Sequence, residues 1–230
     1  MKQSTNFYRD ILYPFQDGIL NIVRQLNTPF YLTGGTALGR HYFSHRFSDD
    51  LDLFVNSDPD YSRHVAQILN ALEESQKRLN FSIDYRRLRK EEHYTQIFLT
   101  QLENAADLKL DLINDIAAHY GELEHSKTMG RIDSWRNILS NKLAAVFRYE
   151  AKDFADIWII AKNKPIVWRE IISEAKTKEA GIDPLALQEI LRSFPPDEVI
   201  AVKWSIPIDQ KEFITDLATI VTDYVKLYQK

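Results

Sequence analysis

The sequence predicts an α/β domain followed by an α-helical one, and three observations predict it. Strand-like and helix-like apolar periods alternate through the first half of the chain. From Trp135 onward the period is helical almost without interruption. Five of the eight prolines, Pro165, Pro184, Pro195, Pro196 and Pro207, fall between those later helical segments, where a residue without an amide hydrogen ends helices.

In chain order, Phe7, Ile11, Leu12, Phe15, Ile19, Leu20, Ile22 and Val23 recur at spacings of three and four, predicting an amphipathic helix over 5–26. PFYLT (29–33) reads as a short buried strand, GGTALGRHYFSH (34–45) as a glycine-started helix, and LDLFV (51–55) as an alternating strand. Residues 60–79 are again helical by period. Three strand-like runs follow: FSIDY (81–85), TQIFLT (95–100) and LKLDLIN (108–114). Polar and charged residues dominate 115–133, which sets the boundary between a domain over 1–125 and a helical one over 126–230. Helices are expected near 134–149, 152–163, 165–176, 183–193 and 209–229. There is no internal repeat or low-complexity tract.

Composition narrows the function. The 230 residues are 44% hydrophobic, 27% charged and 12% aromatic, with 7 Gly and 8 Pro, the profile of an ordinary globular chain. No stretch approaches the roughly 20 apolar residues of a membrane span, and MKQSTNFYRD lacks the apolar centre of a secretion signal, so no membrane partner is expected. Zero cysteines exclude disulfides, thiolate catalysis and Cys-based zinc sites and fit a cytoplasmic location. Lys plus Arg total 29 against 33 acids, a net charge of −4, which leaves room for a local nucleic-acid patch but not for an extended basic groove.

The chemistry concentrates in YLTGGTALGRHYFSHRFSDDLDLF (31–54), where three of the seven glycines and a dense acidic group fall together. Gly34 and Gly35 lie where a strand passes into a helix, and glycines there let backbone amides approach a phosphate. Asp50 and Asp52 are two apart on a strand, so their carboxylates leave one face about 7 Å apart. Their repulsion is relieved by a cation, and hard oxygen ligands suit Mg²⁺ held with substrate phosphates. Asp111, in the alternating run Leu108 to Leu112, is a third carboxylate for the same sheet face. An isolated DLD is more often a solvated strand edge; its combination with the Gly-Gly turn and Asp111 favours a metal site.

Lys142 interrupts an apolar helical face: Trp135, Ile138, Leu139, Val146 and Tyr149 all project within about 60° of it. Two readings stay open, a stem lying over the core with its ammonium in water, or a functional cation. Asp156 is four residues from Lys152, the spacing of a surface ion pair. His41 and His45 are also four apart; with no third ligand evident, they read as polar positions near a nucleotide or at the surface. Tyr85, Arg86, Arg87, Leu88, Arg89 and Lys90, flanked by Asp84, Glu91 and Glu92, read as a solvated hairpin turn before an RNA-binding patch.

GGTALGR, RFSDDLDLF, LKLDL and KLAAVFRYEAKDFADI (142–157) together resemble the DNA polymerase β nucleotidyltransferase superfamily. More closely, they are similar to the AbiEii family of type IV toxin–antitoxin nucleotidyltransferases. The resemblance implies a nucleotidyltransferase fold, a mixed β-sheet flanked by helices, with the helical C-terminal domain closing the nucleotide site. It implies that Asp50 and Asp52 hold Mg²⁺, with Asp111 as a third catalytic carboxylate. Gly34, Gly35, Thr36, Arg46, Ser48 and Arg148 would surround the NTP, and Lys142 and Asp156 would complete the catalytic set, with Asp153 an alternative for the role of Asp156. The implied reaction is transfer of a nucleoside monophosphate from an NTP to RNA, such as tRNA, or to a protein hydroxyl, by a toxin with a cognate antitoxin. A small-molecule, aminoglycoside-like nucleotidyltransferase and a non-catalytic nucleotide-binding module are the alternatives.

Overall fold

The computed structural model describes residues 2–228. The chain forms two compact units, one of 1–37, 47–116 and 122–133, the other of 38–46, 117–121 and 134–230.

The first unit is a mixed sheet with helices on one face. Its strands are β1 (Tyr31–Thr33), β2 (Leu51–Asn56), β3 (Phe81–Ile83), β4 (Arg89–Lys90), β5 (Tyr94–Gln101), β6 (Asp107–Asp115), β7 (Glu124–Ser126) and β8 (Gly130–Ile132). They are ordered β3-β5-β6-β2-β1-β8-β7, with β4 paired to the start of β5 along the edge whose far end β3 occupies. β2 runs parallel to β6 and β1 to β8; the remaining pairs are antiparallel. This is the mixed, helix-flanked sheet predicted from the sequence.

Alternation assigns the two faces. Leu32, Leu51, Leu53, Val55, Ile97, Leu99, Leu108, Leu110, Leu112 and Ile132 are all buried. Helix α1 (Lys2–Phe7) passes through a π-helical stretch, Tyr8–Leu12, into α2 (Tyr13–Gln25), whose Leu20 and Val23 border one cavity with Leu32 and Leu53. After β1 comes the short α3 (Gly34–Ala37), and helix α4 (Tyr61–Leu79) is tied to the sheet at its start, where the Tyr61 hydroxyl donates to the Leu112 carbonyl at 2.8 Å. Burying ten aliphatic side chains at about 1.5–3 kcal/mol each makes this face the principal source of the unit's stability. The opposite face presents Asp52, Asp111, Gln96, Phe98 and Lys109, placed together by register: Asp52 lies beside Asp111, Asp111 beside Gln96, and Lys109 beside Phe98.

The second half of the polar segment 115–133 is the β7–β8 hairpin, turned by Gly130 at φ +81° and joined to the sheet through Ile132 opposite Leu32.

The second unit contains α5 (Trp135–Ala145), α6 (Ala151–Asn163), α7 (Trp168–Lys178), α8 (Pro184–Arg192), α9 (Gln210–Thr219) and α10 (Thr222–Tyr228). Ser134, Asp183 and Asp209 cap α5, α8 and α9 with side-chain oxygens that accept from first-turn amides. The single helix expected over 209–229 is broken at Ile220 and Val221, where Val221 takes φ +60°; residue 229 lies outside the described residues. Phe154, Trp158, Phe194, Trp204 and Phe213 form one aromatic core with ring centroids 4.6–6.0 Å apart. Among the described residues no helix is long and apolar enough to cross a membrane.

Candidate active site

In the sheet unit, the chain entering β2 is held from below. Gln16, fully buried, donates its amide to the carbonyls of Ser48 (3.2 Å) and Asp49 (3.1 Å). The Tyr8 hydroxyl donates to Asp49 at 2.6 Å, and the Tyr8 ring stacks on Phe47 at 4.2 Å. The Thr36 hydroxyl donates to the Asp50 carbonyl. Ser48, Asp49 and Asp50 thus owe their position to α2 and to the Gly-Gly turn.

That turn requires its first glycine. Gly34 takes φ +67°, and a Cβ there would stand 2.7 Å from Asp52 Oδ2. Asp52 therefore presses directly on the turn, with Gly35 and Thr36 buried behind it. The structure brings Gly34, Gly35, Thr36, Ser48, Asp50, Asp52 and Asp111 together in one unit.

Asp111 has donors on both oxygens. Tyr94 and Gln96 donate to Oδ1 at 3.1 Å each, and the Lys109 ammonium lies 2.8 Å from Oδ2. Lys109 also reaches Asp50 Oδ2 at 3.3 Å. Burial works to lower the lysine's pKa, but the hydrogen bond to Asp111 and the charges of Asp50, Asp111 and Asp52 outweigh it and hold the ammonium above its ordinary range. Burial, with the Asp111 charge added, pushes the Tyr94 hydroxyl up to about 12, so it remains a donor. Sequence reasoning missed Lys109, Tyr94 and Gln96.

The donors available to a metal are all hard oxygens, which fits Mg²⁺ by chemistry. Among the described residues, however, no three His, Asp or Glu side chains converge closely enough to hold an ion, and Lys109 stands where their charges meet.

The helical unit gathers the remaining candidates. Asp156, fully buried, receives Arg46 through two contacts of 2.7 Å, His45 Nε2 at 2.9 Å and Lys142 Nζ at 2.7 Å. Lys142 also lies 2.7 Å from Asp153, which Arg148 clamps from the other side at 2.8 and 3.2 Å. This corrects the surface pairing of Asp156 with Lys152: Lys152 pairs with Glu150 at 3.2 Å instead. Lys142 thus lies at the same distance from both Asp153 and Asp156, the two alternatives for one role. Helix geometry contributes, because Asp153 sits in the first turn of α6 and Lys142 in the last turn of α5, each favoured by the local dipole.

Burial alone would raise both acids. The Arg46 and Lys142 charges hold Asp156 well below the ordinary range, and those of Lys142 and Arg148 hold Asp153 down. Lys142 is held up by Asp156 and Asp153 against its own burial. With three cations against two carboxylates, and Arg148 52% exposed, the cluster carries surplus positive charge.

His45 is not a surface position. Fully buried, it points Nε2 at Asp156 while Nδ1 meets no partner, so a second ring proton would have no acceptor. Burial lowers its pKa, aided by Arg46 and Lys142 and opposed by Asp156. His41 is half-buried, its ring edge-on to Tyr42 at 4.8 Å.

A pH dependence follows. Below about pH 6.5 the unfolded chain takes a proton at His45 that the folded chain refuses, so stability falls with pH. Below about pH 4 the depressed Asp153 and Asp156 add to the loss, because the unfolded chain protonates first. Urea midpoints at pH 7 and pH 5 check the first step: the wild type should lose stability, and His45→Gln should flatten the difference.

The family model of the nucleotidyl transferase AbiEii toxin, type IV TA system, matches residues 20–219. No curated protein matches the chain. Among solved structures, JHP933 from Helicobacter pylori superposes with a TM-score of 0.55 at 18% identity, covering 94% of this chain and 97% of that one. A second H. pylori protein, described as a candidate nucleotidyltransferase, gives 0.57 at 19% identity over 93% and 95%. At these identities the likeness is one of fold.

Proposed function

Because the chain belongs to the AbiEii family of type IV toxin–antitoxin nucleotidyltransferases, we propose that it transfers a nucleoside monophosphate from an NTP to a hydroxyl of RNA, such as a tRNA 3′ end, or of protein. The observation that carries this reading is the register of Asp52 beside Asp111 on parallel strands, with the Gly34 turn pressed against Asp52. The acceptor hydroxyl oxygen attacks the α-phosphorus, the bond to pyrophosphate breaks, and the hydroxyl proton passes to a carboxylate of this row. Asp111, oriented by Tyr94 and Gln96, is our choice for that proton.

Asp50 and Asp52 would hold Mg²⁺, which when bound supplies charge stabilisation to the phosphoryl oxygens. Gly34, Gly35, Thr36 and Ser48 would line the triphosphate; within the helical unit, Arg46, Lys142 and Arg148 outnumber Asp153 and Asp156 and would favour an anion. In the cell this activity would be that of a toxin restrained by its antitoxin.

Incubation with each α-labelled NTP, Mg²⁺ and total RNA, followed by separation of RNA from protein, tests the reading. Label on either macromolecule supports it; label on neither, with transfer to an aminoglycoside, would move the chain to small-molecule chemistry. The hairpin then reports on the acceptor. Arg86 pairs with Asp84, Arg87 lies 3.5 Å over the Phe98 ring, and Arg89 sits opposite Gln96. If RNA is labelled, replacing these three arginines with Gln should raise the KM for RNA, reduce its salt slope by about one for each phosphate no longer neutralised, and leave NTP affinity unchanged. An unaltered slope would return the run to a solvated turn.

A further inference from the structure

Lys109 occupies a position that the transfer reaction does not use. It stands two residues before Asp111 on β6, so period two gives both the same sheet face, and register brings Asp52 alongside Asp111. Its ammonium touches Asp50 at 3.3 Å and Asp111 at 2.8 Å, and it lies within the field of Asp52. Three like charges on one face repel, and Lys109 is a cation placed to offset them.

The oxygens it engages matter. Oδ2 of Asp111 accepts a hydrogen bond from the ammonium and Oδ2 of Asp50 lies 3.3 Å from it, so the positive charge already stands beside the oxygens a metal ion would use. The side chain is 28% exposed, and a lysine carries a compact charge on a flexible four-carbon stem, so it can leave the acids for water without dragging the strand.

We propose that Lys109 is an internal counter-cation, which holds Asp50, Asp52 and Asp111 together while no divalent ion is bound and is displaced when one enters. Ion loading is then a competition between the metal and the chain's own lysine. The inference rests on the reading of Asp50 and Asp52 as metal ligands. It accounts for the described carboxylates failing to converge as a metal cage in this structure while lying on one face.

Mn²⁺ serves as the probe, with binding measured by titration calorimetry without nucleotide for the wild type, Lys109→Met, Lys109→Gln and Asp52→Asn. Removing the competitor should tighten Mn²⁺ binding on the order of tenfold in both lysine variants. Without metal they should melt below the wild type and recover more on Mn²⁺ addition, whereas Asp52→Asn should bind Mn²⁺ more weakly. Unchanged or weaker Mn²⁺ binding in the lysine variants, with Asp52→Asn weakened, overturns the role of Lys109 and leaves the metal reading standing. Mn²⁺ affinity indifferent to Asp52→Asn, or absent throughout, overturns both.

If neither lysine variant folds, the wild type decides. Saturating Mn²⁺ should increase reductive methylation of Lys109 severalfold relative to Lys162, because an amine displaced from its acids into water is more accessible to the reagent. Unchanged or reduced labelling overturns the proposal.

Discussion

Asp52→Asn is expected to lower the rate of nucleotidyl transfer on the order of a thousandfold or more while leaving the fold intact. Asparagine keeps the shape of the side chain and its distance from Gly34, and position 52 is only half-buried, so stability should change by no more than about 1 kcal/mol. What is lost is the charge that sits beside Asp111 and completes the acidic row with Asp50. Single-turnover rates at saturating NTP check this, together with a melting curve for each protein. Near-normal turnover would show that the row is a strand edge and not the reacting centre.

The second large effect concerns Lys142. From the sequence, a structural lysine on an apolar face should accept Met, or even gain stability from it. The structure reverses that expectation. The ammonium lies 2.7 Å from each of two fully buried carboxylates, and its removal leaves Asp153 to Arg148 and Asp156 to Arg46 and His45. Breaking one partner out of such a cluster costs about 3–5 kcal/mol, and the guanidiniums that remain place this case near the lower figure. Lys142→Met should therefore melt roughly 10 °C lower. Adding Asp153→Asn, which removes the carboxylate left over, should restore part of that loss. Activity of the folded double variant, compared with Asp153→Asn alone, then separates the roles: a rate equal to that of Asp153→Asn marks Lys142 as a scaffold group, and one lower by further orders of magnitude marks it as a participant in the chemistry.

Local periodicity made the sheet legible. Alternation in LDLFV and LKLDLIN announced β2 and β6 and placed Asp52 and Asp111 on one face, and no residue outside those runs was needed. The β7–β8 hairpin was hidden because EHS and GRI are too short and polar to alternate visibly, and because Ile132 finds its partner Leu32 a hundred residues back in the chain. The break between α9 and α10 has no glycine or proline to mark it; a β-branched valine takes a left-handed conformation that the helical period gives no reason to expect.

Within the candidate site the same limit holds. Asp156 looked like a surface acid because its i−4 neighbour is a lysine, whereas its strongest partner, Arg46, lies 110 positions away. Lys109 is the instructive case. Its period already assigned it to the face of Asp111, but a lysine stem long enough to reach water can equally turn inward. Only the positions of Asp50 and Asp111 decide between those ends.

The partition of the chain bears on how such a protein is made. Residues 38–46 belong to the helical unit although the sheet unit surrounds them in sequence, and Arg46 within them bridges to Trp204 as well as to Asp156. During synthesis the first 133 residues leave the ribosome before Asp156, which binds the Arg46 guanidinium, and Trp204, which pairs with its backbone, have been translated. Domains that finish folding while their successors are being made depend on contiguous sequence. Here the interleaving withholds completion until Trp204 has emerged, so a product truncated before it carries the acidic row without the backbone pairing of Arg46. No cut at a single point in the chain releases either unit whole, and a nascent or prematurely terminated copy is an unfinished molecule, not a smaller enzyme.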